Sequence, residues 1–198
     1  MANYTGIAAT TAAVTNRFVT STNMIVGAYT LANTTPVWQG GCLVTLTHTT
    51  VAAGTETLGT VALVGVGIDG QTQSETLTPV ADSTVTSVYI YRSVTSLTGA
   101  GWVIAGGNDT IVAGVAAGAY LVRGQGQLFA VVVNTTAAAA ITLSDSKRTI
   151  ATLKASIAEG HYLYGTGLDF TGYLKVATTS TNDITVLHSA SLPASIAG

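Results

Sequence analysis

Along most of this chain, apolar residues alternate with Thr, Ser and Gly over short runs, and Gly, Asp, Asn and Pro break those runs at intervals. Period two is the mark of a half-buried strand. Cys42 to Thr49 shows it plainly, with Val44, Leu46 and His48 on one side and Leu43, Thr45 and Thr47 on the other. Leu58–Ile68, Gln71–Thr78 and Thr84–Thr98 follow as strands, with Pro79 and Ala81-Asp82-Ser83 before the last. Asp69-Gly70 predicts a two-residue type I′ hairpin, because both central positions of that turn need φ > 0. This register sets Val64 opposite Glu75 and Leu63 opposite Thr76. The result is a meander whose first strand is apolar and glycine-rich and whose second is almost wholly polar. Trp38 and Trp102 lie at loop edges, Val51–Thr57 reads as a loop, and Asn108–Gly114 closes the group with a short strand.

A second group of strands is expected at Tyr120–Val122, Gln127–Val133, Ala140–Leu143, His161–Tyr164, Leu168–Ala177 and Asp183–His188, followed by a short loose tail. Arg148–Lys154 admits two readings. Ile150, Leu153 and Ile157 have helical spacing, with Asp145 or Ser146 as an N-cap. The strand reading takes Thr149–Leu153 and leaves Lys154–Gly160 as a loop, and it is preferred because every flanking segment is β. The expected fold is all-β, an antiparallel, jelly-roll-like β-sandwich. It is built either from two tandem β units, residues 37–115 and 116–198, or as one continuous sandwich. Residues 1–36 are rich in Thr, Ala and Asn, with irregularly spaced apolar positions. They read as an extended N-terminal arm that hides Phe18 and Met24 on a neighbouring molecule, with Asn23–Leu31 as a candidate strand of the first unit. Deleting Met1–Tyr29 is then expected to spare folding.

Composition changes this picture in one respect. Only 8% of the 198 residues are charged, against roughly 25% in ordinary soluble proteins. Hydrophobic residues make up 47%, ample for a core. So little charge points to a surface covered in an assembly. The net charge is −2 and the seven basic residues are scattered along the chain, so no footprint for nucleic acid is expected. Mean hydropathy is +0.49. Even so, the most apolar run, Ile111–Val122, has twelve residues between Asp109 and Arg123, and a membrane span needs ~20. No membrane partner is expected. The N-terminus has neither a basic n-region nor an apolar h-region, so the sequons at Asn3, Asn33, Asn108 and Asn134 read as chance in a Thr-rich chain.

No residue pattern carries catalysis. Cys42 is the one cysteine and reads as a buried thiol. His48, His161 and His188 lack the spacing of any zinc motif, and no metal or other cofactor is expected. Asp69, Asp82, Asp109, Asp145 and Asp183 sit where Asp favours turns. Arg17, Arg92 and Arg123 are lone charges expected to pair with acids. The aromatic residues are the better contact candidates, but they read equally as core anchors, with a sugar-binding platform as a third reading. Tyr89 and Tyr91, two apart on one strand, are expected to share a face. Candidate interaction residues are Phe18, Met24, Trp38, Tyr89, Tyr91, Arg92 and Trp102.

Four stretches together resemble a known pattern. They are Cys42–Thr47 (CLVTLT), Thr60–Leu77 (TVALVGVGIDGQTQSETL), Tyr91–Thr98 (YRSVTSLT) and Asn108–Gly114 (NDTIVAG). They are similar to β-rich virion proteins of tailed bacteriophages, which carry a V-T-G-T-D-x-x-G-x-x-x-x-E-T-I hairpin, an F-K-x-V-T-S-V strand and a D-T-I-x-V-G ending. Here Gly67-Ile68 replaces the usual Thr-Asp, and Tyr91-Arg92 the usual Phe-Lys. Ala140–Leu143, Gly160–Tyr162, Leu174–Thr178 and Asp183–Val186 resemble phage structural sandwich modules. The resemblance spans residues 42 to 188. It implies a non-enzymatic structural protein of the virion, made in the host cytoplasm and located on the capsid surface. The implied role is head decoration, or cement, and the implied partners are further copies of the chain, as a trimer, and the major capsid protein or another virion protein. A neck or tail component is the alternative, and a carbohydrate-binding surface module is a second one from a different class.

Overall fold

A computed structural model describes residues 2–7, 11–51, 56–103 and 107–191. The described residues form antiparallel sheets and no helix. In chain order the strands are β1 (Ala2–Ile7), β2 (Val14–Asn23), β3 (Gly27–Ala28), β4 (Cys42–Thr49), β5 (Thr60–Gly67), β6 (Thr72–Leu77), β7 (Thr84–Ala100) and β8 (Thr110–Val115). Then come β9 (Ala119–Arg123), β10 (Gln125–Val133), β11 (Ile141–Ser144), β12 (Thr149–Leu153), β13 (Gly160–Phe170), β14 (Tyr173–Ala177) and β15 (Ile184–Ser191). Thr149–Leu153 is thus a strand, as preferred over the helix.

The chain divides into two compact units. The first takes Met1–Ala12, Val37–Gly40 and Gly118–Gly198; the second takes Ala13–Pro36 and Gly41–Ala117. The first unit is a sandwich of two four-stranded sheets, ordered β1-β15-β10-β13 and β12-β11-β14-β9. Counted within the unit, its first strand pairs with its eighth, its second with its seventh, its third with its sixth and its fourth with its fifth. That nesting is a long hairpin rolled over on itself, which is the jelly roll. The core follows from strand alternation. On one sheet Ile7 faces Ile184, which faces Val133, and all three are at most 1% exposed. On the other, Leu143 faces Val176, which faces Ala119, and each is fully buried. Each large side chain buried this way contributes about 1.5–3 kcal/mol.

The turn between β11 and β12 is held by Asp145. Its Oδ1 accepts from the backbone N–H groups of Lys147 (2.7 Å) and Arg148 (2.8 Å), and its Oδ2 from that of Thr171 (3.2 Å). Burial works against the charge, but these backbone donors outweigh it and hold the carboxyl below its ordinary 3.8.

The second unit is a single sheet ordered β2-β8-β4-β7-β5-β6, with β3 also on β7. β7 is its spine. Thr84–Tyr91 pairs with β4, and Tyr91–Ala100 pairs with β5. Tyr91 marks the handover, with Cys42 on one side and Gly67 on the other, and it is fully buried. Its ring explains a glycine in β5: a Cβ on Gly65 would stand 2.8 Å from Tyr91 Cδ1 and 2.2 Å from Ser93 O.

The hairpin after β5 differs from expectation by one residue. Leu63 faces Glu75 and Val66 faces Thr72. Gly70 N donates to Gly67 O (3.0 Å) and Gly67 N to Gln71 O (2.8 Å), so the loop has three residues. Gly70 has a positive φ of 81° and Asp69 does not, which suits a type I turn followed by a left-handed glycine. The Asp69 carboxylate accepts from Gln71 N at 3.0 Å and fixes that form.

The segment expected as an arm over residues 1–36 belongs to the sheets. β1 pairs with β15 in the jelly roll, and β2 pairs with β8 in the other unit. Phe18 is fully buried and Met24 is 2% exposed. Their irregular spacing follows from two register shifts in the β2–β8 ladder. The two strands read at His161–Tyr164 and Leu168–Ala177 are also redrawn. β13 runs through Gly165 and Gly167, and the reversal falls at Thr171-Gly172. Ser189–Ser191 extend β15, and the rest of the expected tail, with part of the Val51–Thr57 loop, lies outside the described residues.

Candidate functional site

The buried pair His48–Asp109 is the arrangement nearest to catalytic chemistry. β4 carries His48 inward and the start of β8 supplies Asp109. His48 Nε2 lies 2.9 Å from Asp109 Oδ2, with both side chains 1% exposed. The backbone N–H of Asp82 donates to His48 Nδ1 at 3.2 Å, so the ring proton sits on Nε2 and is donated to Asp109. Asp109 Oδ1 accepts from Val51 N at 2.9 Å, and Asp82 Oδ1 from Thr50 N at 2.7 Å. Both ring nitrogens are committed, and a general base needs one free to face substrate. The pair therefore works as a clasp joining β4, β8 and two loops.

The other reactive types are placed just as firmly. Cys42 is buried with Sγ 3.5 Å from Tyr91 O, and burial pushes its thiol up to about 12. His188 is buried with Nε2 3.2 Å from Thr5 Oγ1, while His161 is exposed. Among the described residues no three His, Cys, Asp or Glu side chains gather as a metal site. A cleft of about 200 Å³ beside Val19, Thr22, Ile25 and Tyr29 is smaller than the roughly 300–1,000 Å³ of ordinary ligand pockets.

The surface offers more. Cross-strand partners stand on one face of a sheet. Across the outer face of β1-β15-β10-β13, Tyr4 faces Leu187, Leu187 faces Ala130, and Ala130 faces Leu163. This is an unbroken apolar row on a face that is usually polar. Tyr4 is 73% exposed and Leu163 72%, whereas Leu187 between them is half-buried and Ala130 is only 2% exposed, so the row opens to solvent at its two ends. The adjacent row, Gly6, Thr185, Val132 and His161, adds no carboxylate, lysine or arginine.

A second exposed apolar spot arises from a bulge. Between the pairs Leu43–Ile90 and Thr45–Thr86, β7 carries two residues more than β4. Ser87 stitches the bulge: its hydroxyl accepts from Val44 N (2.8 Å) and donates to Tyr89 O (2.9 Å). Glu75 takes the displaced N–H groups of Val88 (2.9 Å) and Tyr89 (3.3 Å). Val88 and Tyr89 are left exposed.

Of the residues expected to make contacts, Phe18, Met24, Trp38 and Tyr91 are buried and serve as core. Tyr89 and Arg92 are exposed, and Trp102 is half-buried. Tyr89 and Tyr91 do not share an environment, because the bulge turns Tyr89 out. Arg17, expected to meet an acid, donates instead to the carbonyls of Thr35 (2.7 Å) and Pro36 (3.4 Å). The surface residues missed in the sequence are Tyr4, Leu163 and Val88. The signal available for Tyr4 was a lone aromatic in a Thr- and Ala-rich segment. For Leu163 it was period two over His161–Tyr164, whose polarity does not say which side faces out. No protein-family model matches the chain, and no curated protein or solved structure shows significant similarity to it.

Proposed function

We propose that this chain is a structural protein of a tailed-phage virion, acting as a head decoration protein in a homo-oligomer. The observation that carries the reading is the apolar row Tyr4–Leu187–Ala130–Leu163 on a chain with only 8% charged residues. Exposed apolar surface of this kind marks an interface. The resemblance of residues 42–188 to phage virion proteins supports the same role, and jelly rolls recur in capsid proteins. The function is mechanical: a sandwich is a rigid body, and repeated contacts between copies and the shell add up around the particle. The N-terminal segment does not act as a free arm, since its strands are built into both units; its contribution to docking is Tyr4 of β1, at the edge of the apolar row.

The whole outer face is about 19 Å wide and 20 Å long, about 400 Å², and the apolar row is only part of it. A standard interface buries ~800 Å² per partner. This row alone does not hold a stable dimer, so a working assembly needs a further contact or a shell to bind. Electron microscopy and protein counting by mass spectrometry on particles test the role. Many copies spread over the head are expected; a few copies confined to the vertex or tail would move the protein to the neck or tail. The sugar-binding alternative loses one of its two tryptophans, because Trp38 is only 5% exposed.

A further inference from the structure

The seven cations look scattered in the sequence, but the jelly roll gathers four of them at one end. Three turns meet there: Gly124 N donates to Gly172 O (2.9 Å) and Ser146 N to Thr171 O (3.2 Å). Arg123 ends β9 opposite Tyr173 of β14. Lys147 and Arg148 stand exposed in the turn between β11 and β12. Lys175 lies further along β14, opposite Tyr120, with Nζ 5.3 Å from the centre of that ring. Tyr120 and Tyr173 meet edge to face at 5.0 Å.

The acids nearby offset part of this charge, Asp145 through the field of Arg148, but neither forms an ion pair with the four cations. Asp145 gives its carboxylate to three backbone N–H groups, and Asp169, on the other sheet, accepts from Gln127 Nε2 at 3.0 Å. Among the described residues the ion pair present is His48–Asp109 in the other unit, so none of the four cations is ion-paired.

The other unit has the opposite sign. It holds Arg17 and Arg92 against Glu56, Asp69, Glu75, Asp82 and Asp109, a net charge of −3. Asp69 and Asp82 are exposed. One chain thus carries a basic end and an acidic unit, and a second copy supplies the complement of each. We propose that the basic end of the jelly-roll unit docks on the acidic unit of a neighbouring copy, in a head-to-tail contact. Such contacts close into rings or run on into lattices, and complementary charge sets their register and speeds encounter. This rests on the homo-oligomer reading above and supplies the further contact that the apolar face requires. Nucleic acid is the poorer occupant: four cations on a chain of net charge −2 offer few phosphate contacts.

Sedimentation of the full chain at about 50 and 500 mM salt tests it, since screening shortens from about 14 to 4 Å over that range. Self-association is expected to weaken about tenfold at the higher salt. Arg123→Gln/Lys147→Gln/Arg148→Gln is expected to give a similar loss at low salt. Asp69→Asn/Asp82→Asn leaves an oxygen to accept from Gln71 N and Thr50 N, and is expected to match it. Combining both sets adds little further loss. Association indifferent to salt and to both variants would overturn this contact and leave the apolar-face assembly standing. A chain that stays monomeric at every salt and is missing from particles overturns both readings. Salt-sensitive binding to a duplex DNA probe, lost in the triple variant while self-association is unchanged, overturns the choice of a second copy as occupant.

Discussion

His48 shows how a polar residue earns a place in a nearly uncharged core. Its two ring nitrogens meet Asp109 and the Asp82 N–H, so nothing polar on the ring is left bare. Asp109→Ala strips an acceptor from both His48 and Val51 N. Breaking a buried pair on one side costs about 3–5 kcal/mol, and urea unfolding followed by Trp102 fluorescence is expected to show a loss of that size. A loss below 1 kcal/mol would mean the clasp is dispensable. His188 gives a pH signature. Burial holds its imidazole below the ordinary 6.5, against a smaller opposing effect from the backbone at Ser189. The unfolded chain therefore takes up a proton there before the folded one does. The stability tied to His188 is fully present above pH 6.5 and is lost as pH falls through the folded value. Thermal midpoints are expected to drop as pH is lowered past that point, and His188→Leu to flatten the drop. An unchanged slope in that variant would assign the effect elsewhere.

At the scale of elements, β1 and β2 decide what the first residues do. β1 closes an edge of the jelly roll and β2 carries Phe18 into the other core. Removing Met1–Tyr29 strips an edge strand from one unit and Phe18, Val19, Met24 and Tyr29 from the other. At about 1.5–3 kcal/mol per large side chain, that exceeds the margin of a typical domain. The truncated chain is expected to lose cooperative melting by circular dichroism; a sharp native-like transition would return the segment to the role of an arm. β7 shows the converse, an element legible in outline whose bulge is not. Ser87–Tyr89 read as ordinary alternating strand, yet two extra residues there turn Tyr89 outward while Tyr91 stays buried.

At the scale of the molecule, the jelly roll is interrupted. Its first and second strands, β1 and β9, are separated by the whole of the other unit, apart from the return at Val37–Gly40. Pairing Tyr4 with Leu187 closes most of the chain into one loop. Such non-local pairing slows folding, to milliseconds or seconds and beyond. Trp38 lies in the jelly-roll unit and Trp102 in the other, so Trp38→Phe and Trp102→Phe variants give separate stopped-flow signals. The Trp38 signal is expected to recover more slowly. Equal rates would show that β1 is not what limits the jelly roll.

The sequence by itself determined most strands from Cys42 onward, the lack of helix among the described residues and the scarcity of charge, because each is written in local alternation, turn residues and composition. Val44, Leu46 and His48 turned inward as period two requires, and Thr149–Leu153 formed a strand despite helical spacing. Only the tertiary structure decided the rest. Register at Gly67–Gln71 depended on a side-chain cap and the bulge at Ser87–Tyr89 on contacts with β4 and β6, neither of which alternation encodes. Which face of His161–Tyr164 lay outward depended on its partner β10, about thirty positions away by register. The two features on which the proposals rest, the Tyr4–Leu163 row and the basic residues from Arg123 to Lys175, join residues far apart in sequence. They exist only because the jelly roll nests its first strand against its last and brings three turns together.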